Sequence, residues 1–381
     1  MKVVIAGGGT GGHLFPGIAI AREFRKRDSS AQILFIGTEK GIESRVIPHE
    51  GFEIKYIVSE GFKGRGVVKK IRSISKIPAG IFNAMRILNN FNPDIVIGVG
   101  GYVSGPVGIA SVVLGYFTAI QEQNLVPGVT NRILGRFADM VFTSFEESGK
   151  FFNGRRVYCT GNPVRREIVE YSAFNPKRSL GQVPQHSASM FTLLVFGGSQ
   201  GAHRINLAVV ESLKFLAEVR DSLFIVHQTG ERDFELVQSA YTERGFHGEV
   251  SPFINDMADA YRRADLVICR AGATTLSELT SCGKASVLIP FPFAVNNHQT
   301  MNAIVLKEHG ASEVIIEKDL NGEILAETIL SLIRDRARLL KLGMESKKMG
   351  RPYAASEIVE HCYRLFKFKM SSWAQIDAEI T

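Results

Sequence analysis

The stretch VVIAGGGTGGH at residues 3–13 decides the fold, because it returns 190 residues later as LLVFGGSQGAH at residues 193–203. Gly7 and Gly197, Gly8 and Gly198, Gly11 and Gly201, and His13 and His203 match between the copies. Each copy runs an apolar strand into glycines and then into a helical pattern. Such a turn lets backbone approach a ligand closely and points helix N–H groups at it, and phosphates are the usual guests. Outward from the first copy, Val3–Ala6, Ile33–Ile36, Ile95–Val99, Met140–Thr143 and Val157–Cys159 read as strands, with helices over Leu14–Arg27 and Val129–Phe137. Outward from the second, Phe191–Phe196, Leu223–Val226, Asp265–Cys269, Ala285–Ile289 and Val314–Ile316 restart the alternation after a polar run from Tyr171 to Ser189. Two doubly wound α/β domains in tandem follow from that pattern.

The 381 residues hold 45 Lys and Arg against 38 Asp and Glu, a formal charge of +7, with 45% apolar residues. That composition excludes a disordered chain, a collagen-like repeat and a disulfide scaffold. Cys159, Cys269, Cys282 and Cys362 form no CxxC pair and read as reduced thiols of a cytosolic protein. No secretory signal is read after Met1-Lys2. Ile95 to Ile120 is uncharged and long enough to span a bilayer, but it carries six glycines and Pro106. It reads instead as strand, glycine turn, short buried helix after Pro106, and strand Thr118–Ile120.

Gly7, Gly9 and Gly12 formally satisfy GxGxxG, and Glu39 ends the second strand where a ribose-binding acid would lie, so a nicotinamide enzyme is a real competitor. Against it, the second copy has Ser199 and Ala202 where glycines are required. A third cluster, GVGGYVSGP at residues 98–106, also follows a strand. RAGATTLSEL at residues 270–279 starts a helix whose N–H groups suit a diphosphate; Glu278, one turn in, either accepts both hydroxyls of a ribose or merely favours the helix start. QEQN at residues 121–124 lies at a strand end, where Glu122 is a candidate acid–base group or part of a self-satisfied loop. HQTMNA at residues 298–303 is equally open. No DxD pair and no HExxH occurs, so no metal and no cofactor is expected.

From Val67 to Met85, Lys69, Lys70, Arg72 and Lys76 interleave with Val67, Val68, Ile71, Ile74, Ile77, Ile81 and Phe82. The pattern suits either an anionic membrane surface or a solvated face over a core helix, and Pro78 argues against one continuous helix.

In order along the chain, GGGTGGH, GVGGYVSGP, EQN, GNPVR, GGSQGA, RAGATTLSE and HQTMNA resemble the MurG family of bacterial peptidoglycan glycosyltransferases, glycosyltransferase family 28. The likeness covers roughly residues 1 to 365 and leaves Trp373 outside. It implies a GT-B fold, two Rossmann-like domains facing a cleft. The first would span 1–163 with a returning C-terminal helix at about 353–370, the linker 164–190, and the second domain 191–352. It implies transfer of N-acetylglucosamine from UDP-GlcNAc to the C4 hydroxyl of the muramyl sugar of undecaprenyl-pyrophosphoryl-MurNAc-pentapeptide (lipid I), giving lipid II with inversion. The matching donor positions are Thr10, Gly11, Gly12, Asn124, Arg165, Ser199, Ile254, Ala273, Thr274, Thr275, Leu276, Ser277, Glu278 and Gln299. By that match Glu278 holds the ribose, the Ile254 backbone the uracil, and Ser199 with Ala273–Thr275 the diphosphate, while Thr10–Gly12 and Asn124 reach across from the first domain. The implied partners are UDP-GlcNAc, lipid I, an anionic membrane surface met through Lys69, Lys70, Ile71, Arg72, Ile74, Lys76, Ile81 and Phe82, and other cell-wall synthesis proteins; no nucleic acid is expected. The implied location is peripheral, on the cytoplasmic face of the bacterial inner membrane.

One departure matters. The family usually carries His before Glu-Gln-Asn, and here the residue is Gln121, which cannot titrate near neutrality. The general base then falls to His13 or Glu122, and His13 is favoured because it opens the helix behind the first glycine turn. Rival readings are a nicotinamide oxidoreductase, a UDP-sugar epimerase of the same architecture, and a non-catalytic nucleotide-binding module.

Overall fold

The computed structural model describes residues 1–59, 77–152, 156–174, 190–198 and 200–380, and within them the side chains of all but 171–174, 295 and 368–380. The chain divides into two units, Met1–Arg165 with Pro352–Thr381, and Arg166–Arg351. A helix, Arg166–Phe174, occupies the start of the stretch expected as a linker.

Among the described residues the first unit holds seven strands: β1 (Lys2–Ala6), β2 (Gln32–Gly37), β3 (Glu53–Tyr56), β4 (Ile95–Gly98), β5 (Phe117–Glu122), β6 (Met140–Thr143) and β7 (Arg156–Cys159). They form one sheet in the order β3-β2-β1-β4-β5-β6-β7, every pairing parallel. Parallel strands covered on both faces need apolar side chains on both, which is why β1 reads as a continuous run. Val3 and Ile5 pack on one face with Leu14, Ile18 and Phe24 of the helix Gly11–Arg27, and Val4 and Ala6 on the other with Ala84, Leu88, Val107 and Ala110. The C-terminal helix, Ala354–Ile380, inserts Ile358, Val359 and Cys362 into the first of these cores. Arg27 pairs with Glu360 at its surface.

The second unit repeats the plan with β8 (Phe191–Phe196), β9 (Leu223–Gln228), β10 (His247–Ser251), β11 (Leu266–Cys269), β12 (Ala285–Leu288) and β13 (Glu313–Val314) in the order β10-β9-β8-β11-β12-β13, again all parallel. Strand order reverses between β1 and β4 in one unit and between β8 and β11 in the other. At such a switch point the loops leaving the two central strands part to opposite faces and open a crevice at their carboxyl ends. The register puts Ala6 beside Gly98 and Phe196 beside Cys269. Each unit therefore brings two of the motifs singled out in the sequence to one sheet edge: GGGTGGH and GVGGYVSGP in the first, GGSQGA and RAGATTLSE in the second.

Two boundaries differ from expectation, each for a local reason. The first helix begins at Gly11 rather than Leu14, since a helix's opening turn needs no apolar residue. The uncharged stretch after β4 is the helix Ser104–Val113, starting ahead of Pro106 because proline is tolerated in a first turn. Pro78 is the second residue of the described helix Ile77–Phe91, and residues 67–76 of the basic stretch, over which one continuous helix was not expected, lie outside the described residues. Among the described residues no helix is long and apolar enough to cross a membrane.

Candidate functional site

In the first unit the two glycine turns interlock. Gly100 has φ +96°, and a Cβ there would lie 2.5 Å from His13 Nδ1, so only glycine lets the second turn approach the histidine. Ser104 ties the turns together: its hydroxyl lies 2.7 Å from the Ala6 carbonyl and 2.8 Å from that of Gly100, and accepts from the Gly100 N–H at 3.0 Å. Fully buried Glu43 closes the other side. One carboxylate oxygen accepts from the Gly9 N–H at 3.0 Å, the other from Thr38 N at 3.0 Å and Thr38 Oγ1 at 2.9 Å. A dinucleotide fold offers such an N–H to a pyrophosphate; here an internal carboxylate already holds it and repels a second anion. The nicotinamide reading loses its anion site on this geometry, and Glu39 is exposed.

His13 hydrogen-bonds through Nδ1 to Gln123 Oε1 at 3.2 Å. Gln123 Nε2 donates to the Val99 carbonyl at 2.6 Å and to Gln121 Oε1 at 2.5 Å, which turns its oxygen toward the histidine. Nδ1 then carries the proton and Nε2 the lone pair. Burial pushes the His13 pKa down, outweighing the Glu122 charge, the Gln123 bond and the Val99 carbonyl, which raise it. A neutral imidazole with Nε2 unprotonated is the form a general base requires. Gln121 extends the relay, its Nε2 reaching Asn162 Oδ1 at 3.2 Å. An amide at this position thus orients Gln123, and through it His13, without exchanging a proton.

Glu122 does not fit the acid–base role expected for it. Both oxygens are engaged: Oε1 by Asn124 N at 2.9 Å and Nδ2 at 3.3 Å, Oε2 by Gly128 N at 3.1 Å and Asn131 Nδ2 at 2.9 Å. Four donors around a buried carboxylate make it a brace for the 122–131 loop. Thr10 stands exposed at the N-cap of the first helix, with Gly11 and Gly12 opening it. Arg165 lies with its guanidinium 5.5 Å from the Phe15 ring centroid.

In the second unit, Gly201 has φ +75°, and a Cβ there would meet the Thr229 carbonyl at 1.9 Å. Behind this turn a chain of polar groups anchors the helix His203–Ser212. His227 sits in it with a pKa held down to about 3 by burial. As a neutral ring it donates from Nε2 to Asn206 Oδ1 at 3.1 Å and accepts at Nδ1 from the Tyr241 hydroxyl at 2.8 Å. Asn206 Nδ2 donates to Asp233 Oδ2 at 2.8 Å, and His203 Nδ1 to Asp233 Oδ1 at 2.9 Å.

The helix Ala273–Cys282 follows β11 directly, with Gly272 at its N-cap and no side chain capping it. Ala273, Thr274 and Thr275 therefore present the helix opening, and Leu276 turns into the core. Ser277 donates back to the Ala273 carbonyl at 2.9 Å. Glu278 is buried, and its Oε2 accepts from the Tyr261 hydroxyl at 3.0 Å. Tyr261 thus orients the carboxylate expected to hold the ribose, occupying one of its about four acceptor positions. The Ile254 N–H donates to Gln228 Oε1 at 2.8 Å. Gln299 Oε1 accepts from Phe291 N at 3.0 Å, beside two asparagines in the left-handed region, Asn296 (φ 50°) and Asn297 (φ 55°). Ser199 lies outside the described residues, as do Lys69, Lys70, Ile71, Arg72, Ile74 and Lys76. Among the described residues no group of three His, Cys, Asp or Glu side chains could hold a metal ion.

Of the membrane set, Ile81 packs on the core and Phe82 is 68% exposed. Sequence reasoning missed further exposed apolar residues. The helices Ile77–Phe91, Ser104–Val113 and Val129–Leu134 pack in succession, and Val113 (66%), Ile133 and Phe137 (57%) stand exposed on or just after them. It also missed Glu43 and Gln228, neither of which belongs to a motif singled out in the sequence, and in QEQN it weighed Glu122 rather than Gln123.

Models of the glycosyltransferase family 28 N-terminal and C-terminal domains match residues 3–143 and 192–358. The chain is 49% identical over 367 residues to a UDP-N-acetylglucosamine--N-acetylmuramyl-(pentapeptide) pyrophosphoryl-undecaprenol N-acetylglucosamine transferase of Syntrophus aciditrophicus, covering 96% of this chain and 99% of that protein. The transferase of the same name from Geobacter sulfurreducens is 49% identical over 94% of this chain and 97% of its own. Among solved structures, Acinetobacter baumannii MurG superposes with a TM-score of 0.78 at 34% identity, covering 95% of this chain and 99% of that one. A UDP-GlcNAc 2-epimerase from Neisseria meningitidis bound to UDP-GlcNAc shares the fold at 14% identity and a TM-score of 0.66, covering 96% of this chain and 100% of that one.

Proposed function

The chain belongs to glycosyltransferase family 28, and we propose from that premise that it transfers N-acetylglucosamine from UDP-GlcNAc to undecaprenyl-pyrophosphoryl-N-acetylmuramyl-pentapeptide. The observation that carries this reading is the 49% identity to a transferase of that name along 96% of the chain. The epimerase likeness is one of fold, at 14% identity.

The reaction is a single displacement. The acceptor's C4 hydroxyl attacks C1 of the donor sugar as His13 Nε2 takes the hydroxyl proton, UDP departs, and the anomeric centre inverts to β. General-base help of this kind contributes about 10²- to 10⁴-fold. Negative charge gathers on the departing diphosphate, and the opening of the Ala273–Cys282 helix supplies N–H dipoles for it. Glu278 takes a ribose hydroxyl, and Ile254 faces the uracil. Dipoles in this scheme stand where a divalent cation otherwise would.

Incubation with labelled UDP-GlcNAc and lipid I, with and without chelator, tests reaction class and metal dependence together. Lipid II formed in both arms is the expected result; donor turnover without a lipid product would favour an epimerase, and transfer lost to chelator would refute the dipole scheme.

The same proposal places the protein peripherally on the cytoplasmic face of the inner membrane, held by exposed apolar side chains such as Phe82 and by the basic residues of the 67–85 stretch. Apolar side chains ringed by cations bind anionic lipid through burial and charge together. Charge reversal at Lys69, Lys70 and Arg72 should lower cosedimentation with anionic vesicles; unchanged sedimentation would assign that stripe to a solvated face.

A further inference from the structure

Gln228 ends β9, is 3% exposed, and belongs to none of the donor-binding positions. Its side chain joins one of them, Ile254, to Gly198, the neighbour in sequence of another, Ser199. Nε2 donates to the Gly198 carbonyl at 2.8 Å, within the second glycine turn, and Oε1 accepts from the Ile254 N–H at 2.8 Å. Building on the donor placement above, we propose that Gln228 is a positioning and specificity-determining residue that couples uracil reading to the diphosphate turn.

Two consequences follow from the bond directions. A peptide carbonyl carries partial negative charge, and one free to swing at Gly198 would meet the diphosphate oxygens; the Gln228 amide at 2.8 Å holds it together with the Gly201 N–H at 3.0 Å. At Ile254 the N–H is already spent on Gln228, so the backbone group that reads the base is the carbonyl, an acceptor. An acceptor pairs with the N3–H of uracil and faces the bare N3 lone pair of cytosine. Gln228 thereby makes the position selective for uridine donors. It acts through Gly198 and Ile254 and touches neither the base nor the phosphates.

The test compares wild type, Gln228→Met and Gln228→Glu at pH 8.5, using UDP and CDP as binding probes and UDP-GlcNAc with lipid I for turnover. Gln228→Met has similar length and makes neither bond. It should raise KM for UDP-GlcNAc about 10- to 100-fold with kcat within a few-fold, and reduce the preference for UDP over CDP about tenfold, the size expected when two hydrogen bonds are lost together with the geometry they hold. Gln228→Glu keeps the acceptor for Ile254 and, ionised, gives up the donor for Gly198. It should bind both nucleotides more weakly while retaining the preference for UDP.

An unchanged KM and unchanged UDP preference in folded Gln228→Met would overturn the proposal. If that variant does not fold, Gln228→Glu decides alone: weaker binding with preference kept supports the coupling, and any other result refutes it. Wild type that neither binds UDP nor transfers sugar would instead sink the donor reading on which the inference rests.

Discussion

The turns at residues 7–13 and 197–203 share much of their sequence and their place in their sheets, yet their surroundings assign them opposite chemistry. At the first, an internal carboxylate takes the Gly9 N–H, and the histidine that follows faces a neutral amide oxygen. At the second, an internal amide takes the Gly198 carbonyl, and the following histidine faces the Asp233 carboxylate. The first turn is thereby closed to an outside anion and holds a histidine kept neutral by burial. The second has its Gly198 carbonyl held by Gln228, and the helix opening at Ala273 follows the strand paired with β8 across the switch point. A glycine-rich turn specifies a backbone shape, and what that shape binds is decided by the side chains behind it.

The sharpest way to break this contrast is at the histidine of the first turn. His13→Ala should cut turnover about 10²- to 10⁴-fold, the usual contribution of a general base, while UDP affinity by titration calorimetry stays within about twofold. In wild type, kcat/KM should rise with pH and level off with an apparent pKa below the ordinary histidine value of 6.5, because burial disfavours the protonated ring. A plateau reached only above neutrality would remove His13 as the base.

Next in size is the second site. Glu278→Ala should weaken UDP about 10- to 100-fold, the value of a hydrogen bond to a charged group, with less effect on kcat at saturating donor. Equal affinity in mutant and wild type would displace the ribose from Glu278.

The smallest effect sharpens the reading of the first turn. Glu43→Gln removes the charge and one acceptor from a cluster of three donors and should cost about 1–3 kcal/mol of folding stability by denaturant titration. An unchanged midpoint would mean the Gly9 N–H does not depend on that carboxylate.

The parallel sheets were legible because buried strands such as Val3–Ala6 and Ile95–Val99 must be apolar on both faces, and a continuous run shows in the sequence. Two strands were not, Glu53–Tyr56 and His247–Ser251. They edge their sheets, are largely exposed, and so carry no such run. The glycine turns and the helix start at Ala273 were visible because their backbone demands particular residues. Glu43 and Gln228 were invisible for the converse reason: each acts on a segment brought near by strand order, Glu43 on a turn 34 positions away and Gln228 on Gly198 and Ile254, 30 and 26 positions away. Glu122 misled because a carboxylate at a strand end looks the same in sequence whether it is open to substrate or saturated by its own loop.

Backbone hydrogen exchange with and without UDP, in chelator, tests the division of labour most directly. Protection should concentrate at residues 273–278 and 197–202, with the smaller change at 7–13. Slowing concentrated at 7–13 instead would place the diphosphate on the turn that Glu43 closes, and contradict the account.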